Sequence, residues 1–378
     1  MGFLGFTLNQ EEVLLINPNT KTCPVFRTNL DYKITKYIYQ NFPILLIEDD
    51  SEKIWNIDFR QGMFNMTSDS HLFERTFSEG RVALYEAKMI HIFDHRYSTY
   101  ENASLKNINE GNLPQFDDKM HSDPNHLIMP RYWIKYSVLS EIKNALTNRK
   151  WYIGFRDVTG NNSERTAIFS VIPHVALGNN LPLLLLDTHK IEEVCCLFAN
   201  LNSIIFDYIC RQKLSGSHLN FFILKQLPII PIERYGIKDE QLILKYVLEL
   251  VYNAWDVQPF AQDMGYNGPP FKWDEDRRAV LKAELDAYYA KIYGLNRKQL
   301  RYILDPADLT PRELSDILDP YEEINDPLNP EGYDHRRQAS TFPGETFRVL
   351  KTKEIRKYGE YRTRRLVLEA WERLEREN

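Results

Sequence analysis

Apolar residues recur at intervals of three and four in several long stretches of the chain, which is the spacing of an amphipathic helix. Positions 191 to 212 show this pattern most clearly and predict one long helix with a broad apolar face. Gly216 follows, and we expect it to end that helix in the left-handed conformation. Further helices are predicted over positions 31–40, 241–254, 274–293, 297–304, 311–318 and 345–377.

Short runs of β-branched and aromatic residues, broken by glycine, proline and asparagine, occupy the middle of the chain from about position 79 to 170. Runs of this length and composition predict strands of a mixed, curved sheet. The clearest are "HLIMPRYWIKY" (126–136), "WYIGFRDV" (151–158) and "RTAIFSVIP" (165–173). Other extended segments are predicted over 44–47, 181–186 and 221–231.

These elements predict an α/β (α+β) protein with three parts. Residues 1–78 would form an α/β segment, residues 79–235 a mixed-sheet domain, and residues 236–378 a mainly helical region with a linker at about 320–344. The 378 residues are enough for two or three domains, and 43% hydrophobic residues with 13% aromatic residues are typical of a globular protein.

Apolar runs, cysteines and net charge indicate the cellular compartment and the possible partners of the chain. No apolar run approaches the ~20 residues of a membrane span, and the N-terminus lacks the layout of a secretory signal. The four cysteines, Cys23, Cys195, Cys196 and Cys210, form no C-x-x-C pair, so we expect reduced core thiols in a cytoplasmic protein. The net charge of −6 does not by itself suggest a nucleic-acid partner. A net charge gives no information about local patches of positive charge, however, so this partner stays open.

The stretch "YEAKMIHIFDHRYSTYENAS", residues 85–104, concentrates ionisable side chains among aromatic ones. One reading is a metal-dependent nuclease, in which Asp69 and Glu86 would bind a divalent cation and Lys88 would polarise the attacking water. This pattern is loose and arises often by chance.

The same stretch has two further readings. His91 and His95 are four residues apart, which on a helix would place both on one face as zinc ligands. The alternative is structural: Asp94 and Arg96 would pair locally, and one of the histidines would be a core residue.

A second polar stretch, "GFRDVTGNNSERT" at residues 154–166, predicts a hairpin or exposed loop that leaves a strand. It is rich in arginine and asparagine, the side chains that can bond bidentately to guanine and adenine. A solvated turn with an Arg–Asp pair is the alternative. Segments 176–181 and 211–220 are similar loops, and segment 348–365 carries eight Lys/Arg against two Glu, which suits a helix that follows a phosphate backbone.

Several catalytic motifs are missing. The chain has no Walker loop, serine nucleophile elbow or Cys–His nucleophile signature. "NPNT" (17–20) and "NGPPF" (267–271) approach the Asn-Pro-Pro-aromatic loop that holds an extruded adenine, but neither matches it. We therefore expect no methyl transfer by this chain itself.

Five long segments together resemble a known family. They are "NPNTKTCPVFRTNLDYKITKYIYQNFPILL", "LYEAKMIHIFDHRYSTY", "GFRDVTGNNSERTAIFSVIPHVALGNNLPLLLL", "LNSIIFDYICRQKLSGSHLNFFILKQLPIIP" and "LKAELDAYYAKIYGLNR", in this order. They resemble the C-terminal, target-recognition half of large adenine-specific DNA methyltransferases of type II (IIG and IIL) restriction–modification and of the DISARM phage-defence system.

The resemblance implies a division of labour. In that family a preceding class I methyltransferase domain binds S-adenosylmethionine, and the following domain reads double-stranded DNA. The chain would then hold no cofactor itself, residues 1–78 would continue from the missing domain, and the catalytic domain or subunit would be a partner. A methylase must flip its base out of the duplex, so a separate module supplies register and sequence choice.

The resemblance also favours DNA contacts by particular side chains. Glu86 and Asp94 are expected to orient basic neighbours. The expected DNA-binding residues are Lys88, His91, His95, Arg96, Arg156, Thr159, Asn161, Asn162, Arg165, Lys213, Ser217, His218 and Asn220. Besides the nuclease, the competing hypothesis is a scaffold whose helices after residue 235 dock a partner subunit.

Overall fold

The computed structural model describes residues 7–48, 54–143, 148–320, 323, 326–342 and 345–376. The fold is mixed α/β: 47% of the described residues are in helices and 11% in strands, with two sheets and a helical C-terminal region. The predicted fold class is confirmed.

Two small sheets form the β part of the molecule. Their strands are β1 (Ile57–Arg60), β2 (Arg81–Tyr85), β3 (Trp133–Lys135), β4 (Trp151–Phe155), β5 (Phe169–Pro173), β6 (Ala176–Leu177) and β7 (Leu183–Leu186). The first sheet has the order β1-β7-β4-β5 and is antiparallel throughout. The second has the order β3-β2-β6, with β2 parallel to β6. Every residue of β4 and β5 is buried, so this hairpin is a rigid base for the loop that joins its strands.

Helices precede, separate and follow the strands. The early ones are α1 (Gln10–Ile16), α2 (Asn29–Asn41), α3 (Leu105–Glu110), α4 (Asp118–Ser122) and α5 (Tyr136–Lys143). The central ones are α6 (Ile191–Asn202), α7 (Ile204–Lys213), α8 (Phe221–Leu224), α9 (Ile237–Val251) and α10 (Gln258–Asp263). The last are α11 (Glu275–Ile292), α12 (Arg297–Leu304), α13 (Pro311–Ser315), α14 (Pro330–Ala339), α15 (Arg348–Tyr358) and α16 (Arg362–Arg376). The predicted helices over 31–40, 274–293 and 297–304 are confirmed almost to the residue.

Two predicted long helices are broken. The 191–212 helix is α6 and α7, which meet at a bend of 58°. Ser203 causes the break by capping α7, because its side chain accepts a hydrogen bond from the Phe206 amide at 3.2 Å. The 345–377 helix is α15 and α16, separated by Gly359 at φ 78°.

Four local predictions differ from the structure. α7 ends at Leu214 in an extended conformation, and Gly216 is not left-handed. Positions 44–47 contribute only an isolated bridge from Ile44 to Pro228, and residues 221–231 begin with α8. The predicted linker at 320–344 contains α14, which Pro330 begins at its first position.

One hydrophobic core joins most of the chain. It reaches from Ile16 to Trp371 and includes residues of α2, α6, α7, α9, α11, α12 and α16, with α11 packed along α16. Two smaller clusters contain residues of the second sheet, and one of them also contains residues of β4, β5 and β7 in the first sheet. The predicted division at about residue 235 is therefore crossed by a continuous apolar interior.

The structure also shows the state of the cysteines and whether any described helix could span a membrane. Cys195, Cys196 and Cys210 are buried free thiols as predicted, while Cys23 is free and exposed. Within the described ranges, no single helix has both the length and the apolar character to cross a membrane. The α6–α7 pair meets those criteria only when its two bent halves are joined.

Candidate nucleic-acid interface

Two of the predicted recognition loops lie side by side. We call residues 157–163 and 214–220 the paired loops. An antiparallel bridge joins Val158 to His218, the Thr159 amide donates to Ser217 O at 3.0 Å, and the Leu219 amide donates to Asp157 O at 2.8 Å. Main-chain hydrogen bonds thus hold two loops, more than fifty residues apart in sequence, in one register.

The outer face of the paired loops is polar and open to solvent. Asn162, Ser217, His218 and Asn220 are exposed, and Ser217 Oγ lies 3.1 Å from His218 Nδ1. Val158 adds an apolar contact surface, with 50% of its area exposed. Amide, hydroxyl and imidazole groups of this kind can hydrogen-bond base edges or phosphates.

A carboxylate lies beneath this face. Asp157 Oδ1 is buried and accepts no hydrogen bond from the part of the chain that the structure describes. Burial raises the pKa of Asp157, and His218 opposes that rise. The exposed imidazole therefore lies in the field of a partly buried acid.

A buried ionic network anchors the paired loops from below. Asp207 on α7 is fully buried and accepts from Arg165 Nε at 2.5 Å and from Arg211 Nε at 3.0 Å. Arg211 also donates to the carbonyl oxygens of Asn161 at 3.1 Å and Glu164 at 2.9 Å. Burial opposes ionisation of Asp207, but the two guanidinium groups hold its pKa below the usual value.

Three of the predicted DNA contacts form hydrogen bonds or ion pairs inside the protein. Arg165 is only 5% exposed and lies against Asp207, so it supports the loop from inside. Thr159 is buried and donates to Thr166 O at 3.0 Å. Asn161 is half-buried and donates to Leu214 O at 3.2 Å, so its amide links the two loops.

The histidine and arginine of "FDHR" are also interior residues. Arg96 has no exposed surface, and His95 Nε2 lies 2.9 Å from Asp256 Oδ1 with 1% of the histidine exposed. The carbonyl oxygens that accept hydrogen bonds from Arg96 belong to Asp123, His126, His121 and Asn253. Neither side chain reaches the surface in this conformation, so the DNA contacts expected of His95 and Arg96 stay predictions that would need a rearrangement of the protein.

Two other predicted DNA contacts interact with neighbouring groups of the protein. Lys88 lies 3.2 Å from Glu86, which confirms that this acid orients its basic neighbour. Arg156 donates from Nε to Ile90 O at 2.8 Å and lies over the Tyr97 ring. Both side chains are half-buried and stabilise the stretch of residues 85–104.

His91 stacks on an aromatic ring and is not part of a helix. Its ring centroid lies 4.5 Å from that of Tyr97, and its main chain forms a bridge with Asp94. Burial, and secondarily the charge of Arg156, lowers the pKa of His91 well below its usual range. Asp94 caps the Arg96 amide at 2.9 Å, so it positions the main chain of this neighbour and not its guanidinium.

Lys213 joins α7 to the N-terminal elements. Its ammonium donates to Ile16 O at 2.5 Å and Gln226 O at 2.9 Å, above the Tyr39 ring. Burial lowers the pKa of Lys213 well below its usual range. The lysine is thus a structural link in this conformation, and the DNA contact expected of Lys213 stays a prediction.

The metal hypotheses receive no support from the geometry. Asp69 accepts from the Asn65 amide at 2.7 Å, whereas Glu86 accepts from the Tyr100 hydroxyl at 2.7 Å. His91 and His95 are not on a helix. Among the residues with described positions, no three His, Cys, Asp or Glu side chains converge as metal ligands.

The basic segment 348–365 is not one open helix face. It spans α15 and the start of α16, and most of its cations are paired with carboxylates. The pairs are Lys351–Asp305, Lys353–Glu164, Lys357–Glu275, Arg362–Asp276, Arg364–Asp308 and Arg365–Glu360. Its charge is therefore largely neutralised within the protein.

A cleft of about 500 Å³ lies where three of the predicted stretches converge. His91 and Tyr97 come from the first, Glu164 and Arg165 from the second, and α15 from the third. α11 provides the opposite wall. Sequence reasoning gave α11 no functional role, since its polar residues read as an ordinary helix surface.

Neither a scan against protein-family models nor a search of curated proteins finds a match to this chain.

Proposed function

We propose that this chain binds double-stranded DNA and selects its sequence, as the target-recognition part of an N6-adenine DNA methyltransferase in restriction–modification or phage defence. The S-adenosylmethionine domain would lie outside the chain, in the same polypeptide or in a partner subunit. Such a role belongs in the cytoplasm. The resemblance of the five long segments supports the family, and the paired loops supply a surface suited to reading DNA.

The observation that carries the proposal is the fixed register of the paired loops. Loops on a rigid scaffold are where recognition residues usually lie, and a preorganised surface loses less conformational entropy on binding. The Val158–His218 bridge joins the loops, and Asp207 anchors them through two arginines. Asn162, Ser217, His218 and Asn220 are left free to face a ligand.

Each exposed side chain has a distinct expected role. Asn162 and Asn220 can bond bidentately to the N6 and N7 positions of adenine in the major groove. His218 and Ser217 would contact phosphate or base edges, which fixes position along the duplex. Replacing an asparagine should therefore change sequence choice, whereas replacing His218 should weaken binding to all sequences more evenly.

A duplex-selection experiment on the full chain tests the proposal. A pool of randomised duplexes is captured at low ionic strength, enriched sequences are read, and affinities are measured by fluorescence anisotropy across a salt series. We expect binding that weakens as salt rises, because phosphate contacts release counterions. Asn162→Ala should relax the preference at one position by ~1–3 kcal/mol.

Asn112→Ala is the matched control, because Asn112 is exposed on another loop and only its main-chain groups form hydrogen bonds with described residues. It should leave both affinity and preference unchanged. The proposal is refuted if the folded wild-type chain does not bind duplex DNA at low salt. Binding without any enriched sequence would refute sequence selection.

A further inference from the structure

The cleft between α11 and α15 contains two cations without a carboxylate partner among the described residues. Arg278 and Lys282 lie one turn apart on α11, and both line the cleft. Arg278 donates to Leu250 O at 2.6 Å and to Phe93 O at 3.0 Å, and its guanidinium lies 3.9 Å from the Trp273 ring. Lys282 makes no hydrogen bond or ion pair with any described residue.

The nearby carboxylates have other partners. These pairs are Glu164 with Lys353 at 2.7 Å, Glu275 with Lys357 at 2.5 Å, Glu354 with the Thr363 amide at 2.7 Å, and Asp286 with the Ile204 amide at 2.7 Å. Asp94 acts on Arg278 at longer range but lies 3.4 Å from His121. Glu164, Glu354 and Asp286 act on Lys282 only at longer range, so neither cation of α11 forms an ion pair with a described carboxylate.

Two adjacent cations in a confined site are unfavourable unless an anion joins them. Burial, reinforced by the charge of Arg278, lowers the pKa of Lys282 to about 8. Arg278 has five N–H donors, and the two hydrogen bonds to main-chain carbonyls leave others for a ligand. Lysine and arginine together are the usual protein ligands of phosphate.

The size of the cleft also suits a ligand. Small-molecule sites typically enclose ~300–1,000 Å³, and this cleft encloses about 500 Å³. We propose that it binds a phosphate group, with Lys282 and Arg278 as its cationic ligands. The phosphate belongs either to a small phosphate monoester or to a nucleic-acid backbone. The inference stands apart from sequence selection, because the paired loops supply none of these groups.

Titration calorimetry and thermal-shift measurements on the full chain test the proposed phosphate site. The probes are inorganic phosphate and adenosine monophosphate, and adenosine is the uncharged control. Both phosphates should bind and raise the melting temperature of the wild type. Lys282→Met, which keeps volume and removes the charge, should weaken both by about tenfold or more. Lys282→Arg should retain binding, which separates loss of charge from loss of fold.

Lys245→Met is the matched control, since Lys245 is exposed on α9 outside the cleft. The inference is refuted if the folded wild type binds neither phosphate probe at millimolar concentration. It is equally refuted if Lys282→Met binds them as well as the wild type does.

Competition with duplex DNA distinguishes the two possible sources of the phosphate group. If the backbone is the source, duplex should displace adenosine monophosphate, and Lys282→Met should weaken all duplexes alike. If a small ester is the source, duplex affinity should not change in Lys282→Met. Phosphate binding that persists in a chain unable to bind duplex would refute the DNA proposal and leave this inference standing.

Discussion

Arg96 and Asn253 are joined by two hydrogen bonds, because Arg96 Nη2 donates at 2.9 Å both to the carbonyl oxygen and to the side-chain oxygen of Asn253. The pair links the stretch of residues 85–104 to the residues that follow α9. A buried arginine surrounded by main-chain oxygens fixes the path of several loops at once. Its role in this conformation is therefore structural, whereas the sequence analysis expected a DNA contact.

Arg96→Met should destabilise the protein strongly. The substitution leaves four buried carbonyl groups without their donor, and loss of one partner in such a buried charged network costs ~3–5 kcal/mol. Urea denaturation followed by tryptophan fluorescence measures the change. Arg75→Met, at an exposed position, should change stability by less than ~0.5 kcal/mol. Similar midpoints for the two variants would contradict the structural role.

Asp207→Asn should reduce stability by ~3–5 kcal/mol near neutral pH, because it removes the charge shared by Arg165 and Arg211. The folded-state pKa of Asp207 is lowered, so its contribution is present above the unfolded value of ~4 and is lost as pH falls through the folded value. The difference between wild type and variant should therefore shrink in acid. Denaturation midpoints measured from pH 7 down to pH 3 follow this loss.

Asp58→Asn is the control for that series. Asp58 forms an ion pair with Arg60 at 2.8 Å, but both side chains are more than half exposed. Exposed pairs contribute ~0–1 kcal/mol. An equal effect of the two substitutions at neutral pH would show that Asp207 does not anchor the loops.

Asp286→Asn should have the opposite dependence on pH. Burial raises the pKa of Asp286 to about 6, while its side chain accepts a hydrogen bond from the Ile204 amide at 2.7 Å. Ionisation in the folded state therefore destabilises the protein as pH rises from ~4 towards the folded value. Asparagine keeps the acceptor without the charge and should raise stability above pH 6 by up to about 3 kcal/mol.

Below about pH 4 the benefit of Asp286→Asn should vanish, because aspartate is then neutral in both states. Thermal melting at pH 4 and pH 8 makes the comparison. A gain of equal size at both values would assign the effect to something other than charge.

Gly62→Ala should destabilise the protein, whereas Gly216→Ala should be nearly neutral. A Cβ on Gly62 would lie 1.9 Å from the main-chain oxygen of Gly178, so the backbone must shift at a cost of ~1–3 kcal/mol. A Cβ on Gly216 meets no atom within 4 Å, and its φ is not positive. Melting curves of the two variants and the wild type test both predictions. A lower melting temperature of Gly216→Ala would support the predicted left-handed cap at Gly216.

The sequence predicted helices better than breaks. The apolar periodicity over 274–293 and 297–304 identified α11 and α12, because their packing follows a regular spacing. The bend at Ser203 escaped prediction, since apolar residues continue through it on both sides and one cap is a weak signal. The separation of α15 from α16 at Gly359 was readable from the glycine and was missed.

The candidate site was predictable as segments but not as side chains. Residues 154–166 and 211–220 were both predicted as polar loops, and the structure places them together. Arg165 faces inward because of Asp207, which lies 42 residues away in sequence and gave no local signal near Arg165. Lys282 was missed for a similar reason, because only the fold brings α11 against α15.

The contact between α11 and α16 has a consequence for synthesis on the ribosome. α16 covers an apolar strip of a helix made some eighty residues earlier, and the same interior extends back to Ile16. Until Trp371 has left the exit tunnel, the nascent polypeptide exposes that strip, and intermediates of this kind are prone to aggregate. We expect holding chaperones to bind the growing chain until α16 has been made and to leave once this helix has docked on α11.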